Sequence, residues 1–172
     1  YPNIQTAIDN AQNGDTILVN KDTLRGEGNK NISFQGKAII VKSEFGADST
    51  IIDLENNGRA FIFENEEDSL SILDGFTILN GVHDLGGGIS CLSHSGPTIK
   101  NCTISNCRSN SGGAIYADDS SPAIINCNID SCKADLGGGI WLGNSLSTIT
   151  NSTLRYNTAF GSDNSRGGGI YI

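Results

Sequence analysis

Short apolar runs with strand-like alternation recur along the chain at a nearly fixed interval. Ile99, Ile124 and Ile149 are evenly spaced, and Ile104, Ile129 and Leu154 keep the same step. Polar residues keep it too: Asn101, Asn126 and Asn151, each followed in turn by Cys102, Cys127 and Ser152. One repeat reads Pro-x-Ile-x-Asn-Cys-x-Ile, then a polar turn, then a glycine cluster closed by an isoleucine. Those isoleucines, Ile89, Ile115, Ile140 and Ile170, follow at nearly the same interval, which lengthens only before Ile170. A period of about 25 residues marks a solenoid in which each repeat is one rung of a stack. The apolar runs are too short for helices and rich in β-branched residues, so each rung is predicted to hold two or three short strands stacked in parallel. No Leu-x-x-Leu-x-Leu frame and no long amphipathic stretch is present, which excludes leucine-rich and all-helical repeats.

Stacking accounts for the choice of residues. Like positions in adjacent rungs stand about 4.8 Å apart. Isoleucine over isoleucine then fills the interior as an apolar column. Asparagine over asparagine chains side-chain amides along a corner whose left-handed backbone Asn tolerates. The glycines serve positive φ at another corner or close packing of backbones. Residues 73–78 are a degenerate early copy, with Phe76 in the place of Cys102 and Ile78 in that of Ile104. Residues 73–172 form the regular rungs, Ile17 to Phe63 irregular earlier ones, and Lys21 to Asn31 a polar loop. Residues 3–12 read as a short amphipathic helix capped by Asn3, with Ile4, Ala7, Ile8 and Ala11 on its apolar face. The chain ends at Gly169-Ile-Tyr-Ile172, halfway through a rung. That reads as a fragment of a longer protein, or as an open end that assembles end to end with another copy. At about 25 residues per rung, the chain holds six to seven rungs.

This pattern resembles the right-handed parallel β-helix, the pectin-lyase-like architecture. More narrowly, Gly112-Gly113-Ala114-Ile115 is similar to the Gly-Gly-Ala-Ile repeats of secreted bacterial adhesin-like proteins, including chlamydial polymorphic outer-membrane proteins. The companion Phe-x-x-Asn signature is approximated by Leu154-Arg155-Tyr156-Asn157. The resemblance implies an all-β solenoid, 1–172 as a single domain, with the helix shielding the open edge of the first rung. It also implies a secreted or cell-surface protein.

Composition narrows the partners. The net charge is −8, with 19 acidic and 11 scattered basic residues, which argues against nucleic acid and anionic membranes as partners. No run approaches a membrane-spanning length. The chain begins at Tyr1 and contains no methionine, consistent with a leader having been removed. Of the five cysteines, Cys102 and Cys127 share one repeat position and Cys107 and Cys132 another, with Cys91 left over. Three readings follow: a buried ladder of small apolar thiols, disulfides between rungs, or a metal site whose spacing departs from the usual short zinc knuckle.

Chemistry on the surface is harder to read. A resembling polysaccharide lyase implies clustered acids for calcium and a basic residue as proton acceptor. Candidate acids are Asp118, Asp119, Glu64, Glu66, Glu67, Asp68 and Asp130; candidate bases are Lys100, Arg108, Lys133 and Arg155. Asp118-Asp119 has ordinary turn chemistry, Asp130 and Arg155 are placed to pair across rungs, and no acid recurs in three successive rungs. Calcium at Glu64–Asp68 would have oxygen ligands, but no cofactor is assigned. His83 and His94 fall in loops. Thr77, Thr103, Asn128 and Thr153 form an outward column too mixed for an ice-binding face. The best binding stripe is aromatic: Tyr116, Trp141 and Tyr171 each follow a glycine-corner isoleucine and alternate outward. The expectation is a non-catalytic spacer or adhesin binding glycan or a surface protein there, against the alternatives of a carbohydrate-active enzyme core and a self-assembling unit.

Overall fold

The computed structural model describes residues 1–161 and 166–172. It opens with helix α1 (Ile4–Asn10), capped by the Asn3 side chain, which accepts the Thr6 N–H at 2.8 Å. Ile4, Ala7 and Ile8 face the core. Six rungs follow. The first holds β1 (Thr16–Val19), β2 (Asp22–Leu24) and β3 (Ile32–Ser33); the second β4 (Ile40–Ser43), β5 (Thr50–Asp53) and β6 (Phe61–Phe63). The third holds β7 (Ile72–Asp74), β8 (Thr77–Leu79) and β9 (Ile89–Cys91); the fourth β10 (Thr98–Lys100), β11 (Thr103–Ser105) and β12 (Ile115–Asp118). The fifth comprises β13 (Ala123–Ile125), β14 (Asn128–Asp130), β15 (Lys133–Ala134) and β16 (Ile140–Gly143). The sixth comprises β17 (Thr148–Thr150), β18 (Thr153–Arg155), β19 (Thr158–Ala159) and β20 (Ile170–Tyr171). The polar segment Lys21–Asn31 therefore contains a strand, β2, because Asp22–Leu24 pairs with β5 of the next rung.

Corresponding strands stack into three parallel six-stranded sheets: A (β1, β4, β7, β10, β13, β17), B (β2, β5, β8, β11, β14, β18) and C (β3, β6, β9, β12, β16, β20). The register is the one the repeat demands. Leu73, Ile99, Ile124 and Ile149 form one interior column on sheet A. Ile78, Ile104, Ile129 and Leu154 form a second on sheet B, and Ile89, Ile115, Ile140 and Ile170 a third on sheet C. The lower rungs fill the same interior with phenylalanine: Phe34, Phe61, Phe63 and Phe76 are fully buried and their rings touch in tilted or edge-on pairs.

From the third rung on, the strand-to-strand corners use a left-handed residue at a fixed place. Between sheets A and B these are Gly75, Asn101, Asn126 and Asn151, at φ of 82°, 54°, 53° and 51°. The Asn126 amide donates to Asn101 Oδ1 at 3.4 Å, and Asn101 to Asp74 Oδ1 at 2.7 Å, so the predicted amide chain is present as one Asn–Asn bond that ends on a carboxylate. At the end of sheet B the corner residues are Asn80, Asn106, Ser131 and Tyr156, at φ of 57°, 53°, 56° and 54°. Before sheet C the first glycine of each cluster turns the chain, as Gly112 does at φ 65°. The second glycine instead allows backbones to approach closely. A Cβ on Gly113 would lie 2.0 Å from the Gly138 carbonyl oxygen of the next rung.

Candidate functional site

The outer position of sheet C carries Ile62, Ser90, Tyr116, Trp141 and Tyr171 in successive rungs. The three aromatic residues thus share one outer column. Tyr116 nevertheless is only 7% exposed, because the Trp141 ring lies flat on it, with centroids 4.5 Å apart and planes 10° from parallel. Such a pair contributes about 0.5–1.5 kcal/mol beyond its buried area. The rings stack like coins, so the pair offers edges and the side of Trp141 facing the sixth rung. The Tyr116 hydroxyl donates to Asp118 Oδ2 at 3.3 Å. Burial, with the Asp118 charge and hydrogen bond, pushes its pKa up to about 12. The buried Trp141 indole N–H finds no acceptor among the described residues.

Beside this column, where the chain runs from sheet B to the glycine corner, lies a cleft of about 390 Å³. Its rim is a row built by the repeat. Asp84, Asn110 and Asp135 each stand two positions before a glycine pair, one repeat apart. Backbone bonds lock the row: Asn110 N–H to Asp84 O and Asp135 N–H to Asn110 O, both 3.0 Å. The Asn110 amide also donates to Asp84 Oδ1 at 3.3 Å. Arg108 lies over the Phe160 ring at 4.6 Å and forms a cationic plate along one wall. Ser109, also lining the cleft, is buried with its hydroxyl unpartnered among the described residues. The row is legible as spacing, yet a search for three acids in succession passes over it because its middle member is an amide.

Arg59 joins cleft and column. Its guanidinium is buried, donates to Ser90 Oγ in the outer column of sheet C, and places Nη2 2.6 Å and 2.8 Å from the two ring nitrogens of His83 in the cleft. Desolvation lowers the Arg59 pKa, opposed by the charges of Glu64 and Asp84. Burial, then the Arg59 charge, lowers that of His83. His83 is therefore neutral at neutral pH, and its Nδ1 accepts the Leu85 N–H at 3.4 Å. His83 is a structural part of the cleft wall, whereas His94 is exposed.

The other sequence candidates are dispersed. The four ion pairs among the described residues, Arg25–Asp53, Lys30–Glu55, Lys100–Asp74 and Arg155–Asp130, each join successive rungs. Lys100, Asp130 and Arg155 thus brace the stack. Glu67 is 1% exposed and takes the N–H groups of Gly36 and Asn65 and the Ser95 hydroxyl at 2.9–3.0 Å, tying three rungs together. Its oxygens are occupied by protein donors, whereas Glu64, Glu66 and Asp68 of the same loop are exposed. Among the described residues no three His, Cys, Asp or Glu side chains converge as a metal site, and no helix is long and apolar enough to cross a membrane. All five cysteines are free and buried, and burial raises the Cys91 thiol far above its usual range.

The family model described as the right handed beta helix region matches residues 32–172. No curated protein and no solved structure gives a match. The match covers well over half of the chain and agrees with the parallel coil of about 26 residues per turn. The chain belongs to the right-handed β-helix family.

Proposed function

We propose that the chain is a non-catalytic module of a secreted or cell-surface protein, a rigid spacer or adhesin that binds glycan along the flank of sheet C. The ligand lies along the Asp84–Asn110–Asp135 row and against the edges of Tyr116, Trp141 and Tyr171. The row carries this reading: carboxylate acceptors and an amide repeat at one-rung intervals beside the Arg108–Phe160 plate, an arrangement suited to hydroxyl groups along an extended chain. Two further observations support it. The bracing ion pairs leave Lys100, Asp130 and Arg155 engaged in holding rungs together. Asp84 and Asp135 are exposed, without the apolar enclosure a general acid uses to keep a proton at neutral pH. The Gly-Gly-Ala-Ile similarity supports surface display.

One observation favours a second reading, glycoside hydrolysis. Asp84 and Asp135 stand two rungs apart, a backbone spacing of about 9.6 Å along the stack, just above the roughly 6.5–9.5 Å separation of inverting carboxylate pairs and within reach of it by side-chain rotation. The test is a glycan array with the wild-type chain, the Asp84→Ala/Asp135→Ala double variant and Trp141→Ala, together with reducing-end assays on every bound glycan. The module reading requires retention of at least one glycan class, at least tenfold weaker binding by both variants, and no product release. Retention unaffected by the variants, or no retention at all, refutes the site. Product release that disappears in the aspartate variant establishes the hydrolase.

A further inference from the structure

The repeat brings cysteines together in two pairs. Cys102 and Cys127 are one repeat apart, and so are Cys107 and Cys132. The Asn128 N–H donates to the Cys102 carbonyl and the Lys133 N–H to the Cys107 carbonyl, both at 2.9 Å, so each pair is held in register across rungs four and five. At the parallel strand spacing the two Cα atoms of a pair stand about 4.8 Å apart, within the roughly 4.4–6.8 Å that a disulfide spans. All four side chains are at most 1% exposed and point into the core. Across the rungs, the Cys127 thiol reaches Ile99 O at 3.6 Å and the Cys132 thiol reaches Ile104 O at 3.7 Å.

Pairing is restricted by the neighbours. One rung below, the equivalent positions hold Phe76 and Gly81; one rung above, Ser152 and Asn157. Cys102 and Cys107 sit on opposite flanks of β11, the length of a strand apart. Cys91 stands alone on sheet C, beneath Ala117 and above Phe63. Four cysteines permit three pairings, and the stack allows one.

We propose that these pairs are two preformed cross-linking sites, and that in an oxidising compartment they close as Cys102–Cys127 and Cys107–Cys132 while Cys91 stays reduced. Each closure removes two S–H hydrogens and forms one S–S bond. The two electrons and two protons pass to a low-molecular-weight disulfide such as oxidised glutathione, which leaves as two thiols. The first cysteine, as thiolate, attacks that disulfide and expels one thiol; its partner then attacks the mixed disulfide and expels the second. Because the sulfurs are enclosed, the exchange takes place before rung five docks on rung four, or during its local opening. The result is a pair of rivets between two rungs, one at each end of sheet B. The inference is independent of the glycan reading.

The chain is refolded in a glutathione redox buffer and, in parallel, in excess reductant. Both samples are alkylated under denaturing conditions and weighed intact, then digested and mapped. The oxidised sample is expected to carry one alkyl group, on Cys91, with peptides linked 102 to 127 and 107 to 132; the reduced sample carries five. Cys127→Ser and Cys132→Ser should each abolish one link and leave the other. Protein exported to an oxidising compartment behind an added leader, and alkylated as it is collected, gives the same count without a refolding step. Five alkylated thiols from the oxidising preparations, or links that include Cys91, overturn the proposal.

Discussion

Replacing Gly113 with alanine isolates the contact that holds the rungs at their spacing. The backbone at Gly113 is not left-handed, so the substitution brings no conformational penalty of that kind. The added Cβ would stand 2.0 Å from Gly138 O and 2.8 and 2.9 Å from Lys133 N and O. All three are backbone atoms of the next rung and cannot rotate away. Rungs four and five must separate locally by more than an ångström to restore ordinary contact. The bonds at stake are Gly113 N–H to Gly137 O at 3.0 Å and Ala114 N–H to Gly139 O at 2.8 Å. Overpacking costs about 1–3 kcal/mol and each backbone bond about 1 kcal/mol, which together gives about 4 kcal/mol. Gly96 is the control, because its Cβ would meet only Ser121 O at 3.5 Å, and a change within about 0.5 kcal/mol is expected there. Urea unfolding followed by far-ultraviolet circular dichroism reads the difference as a midpoint lower by about 2 M for Gly113→Ala. Equal midpoints for Gly113→Ala and Gly96→Ala would refute the argument that backbone-to-backbone approach dictates this glycine.

Three further outcomes follow from the same structure. Tyr156 is left-handed and 78% exposed where Asn80 and Asn106 occupy the same corner, so Tyr156→Asn should stabilise by about 1 kcal/mol; a lower urea midpoint contradicts this. Glu67→Ala removes the acceptor of three donors, the buried Ser95 hydroxyl and the part-buried N–H groups of Gly36 and Asn65, and should cost about 3 kcal/mol, with Glu67→Gln intermediate; a loss below about 1 kcal/mol in urea titrations would show that water replaces the carboxylate. Burial, then the Arg59 charge, holds the pKa of His83 below its unfolded value of 6.5. The unfolded chain therefore takes up that proton first, and the contribution, complete above about pH 6.5, is lost as pH falls towards the folded pKa. The stability advantage of wild type over His83→Gln should shrink between pH 7 and pH 5, and an advantage that grows on acidification rules this out.

The coil is legible in the linear pattern alone. A step of about 25 residues in Ile, Asn, Cys and Gly leaves few other ways to stack, since a parallel solenoid sets like residues above like and converts period into vertical column. The Ile99–Ile124–Ile149 column, the Asn101–Asn126 amide bond, the Asp130–Arg155 ion pair and the capping helix all follow from it or from local composition. Relations between columns come only with the folded chain. Alternation places Tyr116 on the outside, but the flat contact with Trp141 is what buries it there. Glu67 reads as one acid in an acidic loop until the fold brings Gly36, Asn65 and Ser95 around it. Arg59 lies in an irregular early rung and His83 has Ser109 at its place in the next rung, so no column of like residues marks either, and their meeting links the cleft to sheet C. Periodicity dictates which residues share a column and which face the interior. Contacts around the circumference and across loops depend on corner geometry and side-chain rotamers, which a linear pattern does not encode.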